Sequence, residues 1–303
     1  MDGKTLLLKL RQVLNEDADG AFLDDYTSYG FLNEAAIELV RLARCLEGEQ
    51  EITTVADTAA YSLEADFLEM YLTDKSKDFF VKYYDGTNYT FIRFDEYASV
   101  VRRNSTASQS VPSFFTIRPK SVVSSQVSGT ASTAGTATAG KCTLTTATSL
   151  SVVSVGDYVH NTTDGSSGVV LSAGSSTAAC ALFGGTGNDW TASDSFVIQP
   201  QGRLELVLDP APESSGHTVT VHYLKRPAPV YSDYGVFGFQ SHWMMPLVYY
   251  AAWLYKYRDR DPNYGDKWFV FWDRAVRMAA NSTNNALNRS KMSVSFKKPK
   301  RYG

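Results

Sequence analysis

The sequence predicts an α+β fold: a helical bundle, made of an N-terminal helix pair and a C-terminal helix pair, with antiparallel β strands and an inserted small all-β module. Three observations lead to this prediction. Apolar residues recur at helical spacing near both ends of the chain, and runs rich in Thr, Tyr, Val and Phe lie between them. A long stretch of Ser, Thr, Ala and Gly with few charges interrupts those runs.

Two helices are predicted in the first 48 residues. The first has apolar residues three and four positions apart, namely Leu6, Leu7, Leu10, Val13 and Leu14. The second begins after Asp24 or Asp25, whose carboxylate can accept hydrogen bonds from the first free amides of a helix. Its apolar stripe consists of Tyr29, Leu32, Ala36, Leu39, Ala43 and Leu46.

Strands are predicted where the period changes from helical to alternating. The Asp85-Gly86 pair suits a hairpin turn because both residue types tolerate positive φ. The strand segments are "QEITTVADTAAYSLEADFLEMYL", "KDFFVKYYDGTNYTFIRF", "SFFTIRPK", "GRLELVLDPAP" and "HTVTVHYLKRPAP".

The C-terminal helix pair is predicted in "QSHWMMPLVYYAAWLYKYRDRD" and after Pro262. Pro246 fits the first turn of the former helix, where a missing amide costs nothing. The buried face of the last helix is expected to consist of Trp268, Phe271, Trp272, Ala275 and Met278.

The stretch from Val123 to Ile198 is expected to be a small β module. Its segments alternate like short strands between Gly-Asp, Asp-Gly and Gly-Gly turns, whereas "SSQVSGTASTAGTATAG" has the composition of a flexible linker. The predicted division is therefore a core of helices and antiparallel strands made of residues 1–122 and 199–288, the module 123–198, and an extended basic tail 289–303. Tyr158, His160 and Trp190 are candidate contacts of the module with a partner, and the alternative is that they form its core.

Nothing in the sequence indicates an enzyme, a metal or another cofactor. The three cysteines have no C-x-x-C spacing, and the four histidines lie in separate elements. The Gly-rich run "FGGTGNDW" lacks the Lys-Ser/Thr of a phosphate-binding loop, so we expect a turn. There is no run of about 18 apolar residues and no secretion signal, so we expect synthesis in a cytoplasm and no membrane anchor.

The last residues combine positive charge with the period of a strand. The chain carries a net charge of −3, but eight cations and no acids follow Asp273, which leaves −11 on the residues up to that point. Met292, Val294 and Phe296 alternate with polar residues. Three readings remain open: a strand that joins the sheet edge of another protein, a basic tail attracted to nucleic acid, and a segment that packs on its own domain.

One resemblance links these observations. The segment "GAFLDDYTSYGFLNEAAIELVRLARCLEGEQEITTVADTAAYSLEADFLEM" resembles the opening of tailed-phage head-to-tail adaptor (connector) proteins, of the tail tubular protein A type. "VPSFFTI", "LELVLDPAP" and "VTVHYLKRPAP" are similar to later strands of that family. The matching positions of the opening are Leu32, Asn33, Glu34, Ala35, Tyr61, Leu63, Asp66 and Phe67.

The resemblance implies a structural virion protein at the portal vertex that is synthesised in the host cytoplasm. About twelve copies would form a ring below the portal protein and join the capsid to a tail nozzle or tail tube protein, with fibres as further candidate partners. The ring would continue the channel through which genomic DNA passes without specific contacts. The tail would dock on the portal through Lys291, Met292, Val294, Phe296, Lys297, Lys298, Lys300, Arg301 and Tyr302. We expect this tail to become ordered only on assembly, because an isolated strand cannot satisfy its own backbone.

Two other functions stay open at this stage. The inserted module could grip a fibre, a nozzle or a glycan, which would make the chain a tail-associated binding protein. A nucleic-acid-binding protein with a basic tail is the other alternative, and the negative charge of the remaining residues argues against it.

Overall fold

The computed structural model of the protein describes residues 1–16, 24–70, 81–104, 110–120, 126–138, 140–201, 203–258 and 262–286. These ranges contain five α-helices: α1 Gly3–Leu14, α2 Asp25–Ala43, α3 Tyr97–Asn104, α4 Met244–Arg258 and α5 Pro262–Ala286. They also contain fourteen strands: β1 Glu47–Thr53, β2 Ala60–Ser62, β3 Phe67–Met70, β4 Val81–Tyr84, β5 Tyr89–Phe94, β6 Phe114–Lys120, β7 Val127–Thr130, β8 Cys142–Thr145, β9 Tyr158–Asn161, β10 Ser166–Ala173, β11 Thr177–Phe183, β12 Ser195–Gln199, β13 Arg203–Asp209 and β14 Thr218–Lys225.

The predicted fold class is wrong. The fourteen strands form two sheets of eight and six strands, each with its own apolar core, so the protein is mostly β-sheet and not a helical bundle with a small β module. The sequence showed that strands exist between the helices, but strand pairing depends on contacts between distant segments. Nothing in the local period indicated that strands from both sides of the insertion would assemble into one large sheet.

The eight-stranded sheet has the order β1-β14-β4-β5-β6-β13-β2, with β3 also paired to β14. Only β5 and β6 run parallel; the other pairs are antiparallel. Its first and last strands are connected by a side chain, because the Gln50 amide donates to the Ser62 carbonyl at 3.2 Å and accepts from the Glu64 amide at 3.1 Å. The sheet is therefore close to a barrel around one core, formed by Ile52, Tyr61, Leu63, Met70, Val81, Tyr83, Ile92, Phe115, Leu206, Leu208, Val219 and Val221.

The six-stranded sheet has the order β7-β12-β9-β10-β11-β8 and uses strands from Val127 to Gln199. Its edge strands also approach each other, since the Ser132 amide donates to the Thr145 carbonyl at 2.7 Å and the Thr146 hydroxyl donates to the Thr130 carbonyl at 2.8 Å. Trp190 and Phe196 are the largest side chains of its core. The boundaries of the domain division, 1–122 with 199–288, 123–198 and 289–303, stay a prediction.

The expected flexible linker "SSQVSGTASTAGTATAG" is structured in its described part. It contains β7, and Gly135 pairs with Trp190 through two backbone hydrogen bonds. Its small residues permit close packing: a Cβ on Gly135 would lie 2.1 Å from the Thr143 carbonyl oxygen. The small residues that suggested a flexible linker are therefore explained by close packing of this segment against its neighbour.

Helices α1, α2, α4 and α5 pack around a third apolar cluster that also touches Leu224 of β14. Asp24 caps α2 as predicted, because its carboxylate accepts from the Thr27 amide at 2.6 Å. The short helix α3 was not predicted. No helix in the described ranges has both the length and the apolar character needed to cross a membrane.

The expected buried face of α5 is partly wrong. Trp268 and Trp272 are buried, but Phe271 is 45% exposed and Met278 is 63% exposed. The buried row continues through Val276, Ala279 and Ala280 instead. Because α5 carries apolar residues on more than one side, its sequence period could not decide which side faces α4.

Candidate functional site

The predicted docking tail lies outside the described residues. This applies to all of its residues, namely Lys291, Met292, Val294, Phe296, Lys297, Lys298, Lys300, Arg301 and Tyr302. Their role at a portal stays a prediction.

The candidate contacts of the module do not form one surface. Tyr158 and His160 lie on the outer side of β9, where Tyr158 is 48% exposed and the His160 Nδ1 is 2.8 Å from the Ser167 hydroxyl. Trp190 is 1% exposed and packs edge-on against Phe196, with ring centroids 6.2 Å apart. Any contact of this face with a partner would therefore involve the outer residues of β9, and Trp190 belongs to the core behind them.

The Gly-rich run of the module forms a turn around a carboxylate. Asp164 accepts hydrogen bonds from the amides of Thr186, Gly187 and Asn188 at 2.8–3.1 Å. These bonds, led by the one from Gly187, lower the pKa of Asp164. The amides that could have attracted a phosphate thus already bind the protein's own anion.

A buried ion pair connects the two sheets. The Arg203 guanidinium, at the start of β13, donates to both carboxylate oxygens of Asp157 at 2.9 and 2.7 Å, and to the Ser154 hydroxyl at 2.7 Å. The exposed fractions of the two charged side chains are 6% and 0%. Asp157 also accepts from the amides of Ser154 and Gln201 at 2.8 and 3.1 Å, which orients its carboxylate.

Gly156 places the same loop directly against the eight-stranded sheet. Its φ is +90°, and a Cβ at this position would lie 2.9 Å from the Ala65 Cβ and 3.1 Å from the Ala65 carbonyl carbon. The loop Ser154–Asp157 therefore touches the segment that follows β2. Glycine is required here by both its backbone angle and the close approach.

A second contact of the six-stranded sheet is aromatic, and it is made with the helical layer of the protein. Phe183, at the end of β11, stacks on Tyr231 with ring centroids 3.8 Å apart, and Tyr231 in turn stacks on Tyr26 of α2 at 5.2 Å. Close by, a Cβ on Gly140 would lie 2.8 Å from Gly235 Cα. The six-stranded sheet is thus held at two separate places, which fixes its orientation as well as its position.

A cluster of carboxyl groups lies next to the first contact. The Tyr223 hydroxyl is 2.9 Å from a carboxylate oxygen of Glu64 and 2.9 Å from one of Asp66, and Lys225 Nζ is 3.0 Å from Asp66. A phenol has one proton to donate, so it cannot satisfy both carboxylates at once. Burial raises the pKa of Glu64, so its carboxyl group takes up a proton more easily than that of a solvated glutamate.

The outer side of β1 carries a row of acids. Glu47, Glu49 and Glu51 alternate along the strand and are all exposed. Glu49 lies 3.3 Å from His222 on the neighbouring strand β14. This row contributes to the negative charge that the sequence assigns to the chain before the tail.

Within the described ranges, no group of three or more His, Cys, Asp and Glu residues is arranged to hold a metal ion. Cys142 and Cys180 are directly opposed on β8 and β11 and are both free. Burial raises the pKa of the Cys142 thiol to about 12. Both residues therefore behave as core thiols.

Residues 1–139 match the family model described as SU10 adaptor protein. The resemblance to a phage head-to-tail adaptor is confirmed. The adaptor match extends from α1 to the residues after β7 and so includes the opening segment on which the resemblance was based. No curated protein matches the chain.

The match supports a structural role in a bacteriophage particle, in contact with other head or tail proteins. Sequence reasoning did not identify Arg203, Asp157, Phe183 and Tyr231, which hold the six-stranded sheet in place. A signal for Asp157 existed, because it is one of few charged residues between Val123 and Ile198. A charge in a segment with so few charged residues is a candidate for a buried ion pair.

Proposed function

We propose that the adaptor forms a ring below the portal, joins the capsid to the tail and continues the DNA channel. The match of residues 1–139 to the adaptor family carries this proposal. A ring of about twelve copies needs two different, complementary surfaces on each copy, because a closed heterologous ring repeats one contact around its axis.

The construction of the protomer suits a part of a rigid wall. The six-stranded sheet is joined to the eight-stranded sheet by the ion pair between Arg203 and Asp157 and by the close contact at Gly156. The stack of Phe183 on Tyr231 joins it to the helical layer. Contacts at separated points resist both rotation and translation of the six-stranded sheet against the rest of the protein. We infer that the six-stranded sheet adds fixed thickness to the ring.

The tail is the proposed contact with the portal. Met292, Val294 and Phe296 would add a strand to a portal sheet, and the neighbouring lysines and Arg301 would meet acidic groups. Strand addition supplies main-chain hydrogen bonds, and the alternating apolar side chains supply the specificity.

The negative charge of the protein before the tail suits a channel for DNA. Each neutralised phosphate adds affinity through counterion release, so a basic wall would slow the passage of the genome. Exposed acids such as Glu47, Glu49 and Glu51 prevent that attraction wherever they face DNA.

Mixing the full chain with purified portal rings of the same phage tests the proposal. Mass photometry should show a complex whose added mass equals a ring of adaptor copies. A chain truncated after Asn288 keeps every described helix and strand, and we expect it to lose its binding to portal rings. A full chain that stays monomeric beside portal rings, or a truncated chain that binds them as well as the full chain, contradicts the proposal.

A second candidate function is that the inserted module grips a fibre, a nozzle or a glycan. It is favoured by the exposed side of β9, where Tyr158 offers an aromatic ring at the surface. Tyr158→Ser leaves the core untouched, so it should abolish such binding while portal binding survives. Equal binding of tail proteins by wild type and variant would speak against this candidate.

A further inference from the structure

The outer side of the strands β1, β14, β4 and β5 forms one continuous face of the eight-stranded sheet. Glu51 on β1 is opposite Thr220 on β14, and Thr220 is opposite Lys82 on β4. Lys82 is in turn opposite Phe91 on β5. Directly opposed residues of antiparallel strands project from the same side of a sheet. Their side chains therefore form a row across all four strands.

The two edges of this face carry opposite charges. The acidic edge is β1, with Glu47, Glu49 and Glu51. The basic edge is the β4–β5 hairpin, with Lys82 and Arg93. Among the residues that the structure describes, no ion pair involves Glu51, Lys82 or Arg93.

Aromatic rings lie beside the cations of the basic edge. Tyr89 is 67% exposed and Phe91 is 63% exposed. Tyr84 is opposite Tyr89 and stacks on it, with ring centroids 4.5 Å apart. Single exposed apolar residues are normal, but a contiguous aromatic group next to charges marks an interaction site.

The other charged groups near this face do not change the pattern. Asp85 lies at one end, in the turn between β4 and β5. Asp95 lies at the other end, after β5, and is ion-paired with Arg103 at 2.7 Å. His222 on β14 lies 3.3 Å from Glu49 and so belongs to the acidic edge. The middle of the face therefore has carboxylates on one edge and cations on the other.

We propose that this face binds the same face of a second copy of the chain, in a two-fold symmetric dimer that forms before a ring is assembled. A two-fold interface uses one self-complementary patch on both copies. With the axis parallel to the strands, β1 of each copy lies over β5 of the other. Glu49 then meets Arg93 of the second copy, and Glu51 meets its Lys82.

The position of both edges on one face favours a dimer over a ring contact. In a ring, each copy would need one neighbour on its acidic edge and a different neighbour on its basic edge. Neighbouring strands are about 4.8 Å apart, so β1 lies only about 10–15 Å from β4 and β5. Two copies cannot bind so close together, whereas a single partner related by a two-fold axis uses both edges at once.

The protein's own tail is a poorer occupant of this face. Its cations could meet Glu49 and Glu51, but they would also come close to Lys82 and Arg93. Like charges brought together in a contact disfavour binding. A second copy brings a carboxylate to each of these cations.

Sedimentation velocity of the full chain without portal rings tests the dimer. We expect a fraction of dimer that grows with protein concentration and falls as salt is raised from about 50 to about 500 mM, because salt screens exposed charges. The chain truncated after Asn288 should dimerise equally well. A full chain that is monomeric at every concentration overturns the proposal, and so does a dimer that disappears on truncation.

A pair of charge-reversed variants tests which residues meet. The acidic variant carries Lys82→Glu and Arg93→Glu, and the basic variant carries Glu49→Lys and Glu51→Lys. Each variant alone brings like charges together, so its dimer dissociation constant should rise by about tenfold or more. Glu34→Lys reverses a charge at an exposed position of α2 and should leave that constant unchanged.

An equimolar mixture of the acidic and basic variants should dimerise again. In that pair, the carboxylates of one chain face cations of the other at both contacts. Recovery also shows that both variants are folded. A wild-type dimer together with a mixture that stays monomeric would show that the two edges do not meet. Because portal rings are absent from these measurements, failure of the dimer leaves the proposed function intact.

Discussion

Charged side chains occupy the interior of this protein where its two sheets meet. Arg203 begins a strand of one sheet, and Asp157 precedes a strand of the other. Glu64, Asp66 and Tyr223 lie close to the same junction. A buried charge is tolerated only beside its partner, so these residues define how the sheets fit together more strictly than an apolar contact would.

Removing one partner of the ion pair should be costly. Asp157→Ala leaves the Arg203 guanidinium buried without a counter-charge, and we expect the free energy of unfolding to fall by about 3–5 kcal/mol. Urea denaturation followed by tryptophan fluorescence measures the change. The double variant Asp157→Ala with Arg203→Met has no unpaired charge and should recover most of the loss; equal stability of the single and double variants would contradict this account.

The carboxyl group of Glu64 should make stability depend on pH. Its pKa in the folded protein is raised above the ordinary value of 4.5, so the folded state binds the proton more tightly than the unfolded state. Its contribution to stability is therefore present at low pH and is lost as the pH rises through the raised pKa.

The side chain introduced by Glu64→Gln cannot ionise, so this variant should not lose stability as the pH rises through the raised pKa of Glu64. The stability difference between Glu64→Gln and wild type should be smallest below pH 4.5, grow with rising pH and then level off. Glu51→Gln changes the net charge equally at an exposed position of β1 and serves as the control. A difference that is independent of pH would show that Glu64 has no raised pKa.

At the scale of elements, glycines determine how closely loops approach sheets. Gly156 and Gly165 both have positive φ, at +90° and +78°. A Cβ placed on Gly156 would lie 2.9 Å from the Ala65 Cβ, in the segment between β2 and β3, whereas no atom lies within 4 Å of a Cβ placed on Gly165. Gly156 is required both by its backbone angle and by its close contact, whereas Gly165 is required only by its backbone angle.

Alanine substitution should separate these two roles. Gly165→Ala should reduce stability by about 1–2 kcal/mol through the left-handed backbone alone. Gly156→Ala adds a clash at the junction of the sheets, which typically costs a further ~1–3 kcal/mol. Chemical denaturation gives both values, and limited proteolysis should show faster cleavage only for Gly156→Ala. An equal loss of the free energy of unfolding in both variants would mean that the close contact of Gly156 with Ala65 does not contribute to stability.

At the scale of the whole molecule, the charges of the chain are separated. Eight cations follow Asp273 without any acid, while the preceding residues are strongly negative. Such a chain can attract an acidic partner with its tail and leave DNA free to slide past the rest. A basic tail on an acidic chain is also compatible with a protein that binds DNA through that tail.

DNA binding by the full chain and by the chain truncated after Asn288 distinguishes these cases. We expect weak binding of duplex DNA by the full chain that disappears as salt is raised from about 50 to 200 mM, and no binding by the truncated chain. Fluorescence anisotropy with a labelled duplex measures both. Tight binding at the higher salt would favour the nucleic-acid-binding alternative, and binding by the truncated chain would contradict a channel that avoids DNA.

The sequence by itself determined the helices α1, α2, α4 and α5, the Asp24 cap, the Asp85-Gly86 hairpin and the resemblance to a phage adaptor. These features depend on residues near each other in the chain, or on a motif that stays together. Only the tertiary structure decided that the strands form two large sheets, that Arg203 meets Asp157 across 46 positions, and that α5 turns Phe271 and Met278 outward. Strand partners and buried ion pairs are chosen by packing between distant segments, and the local period of a sequence carries no record of that choice.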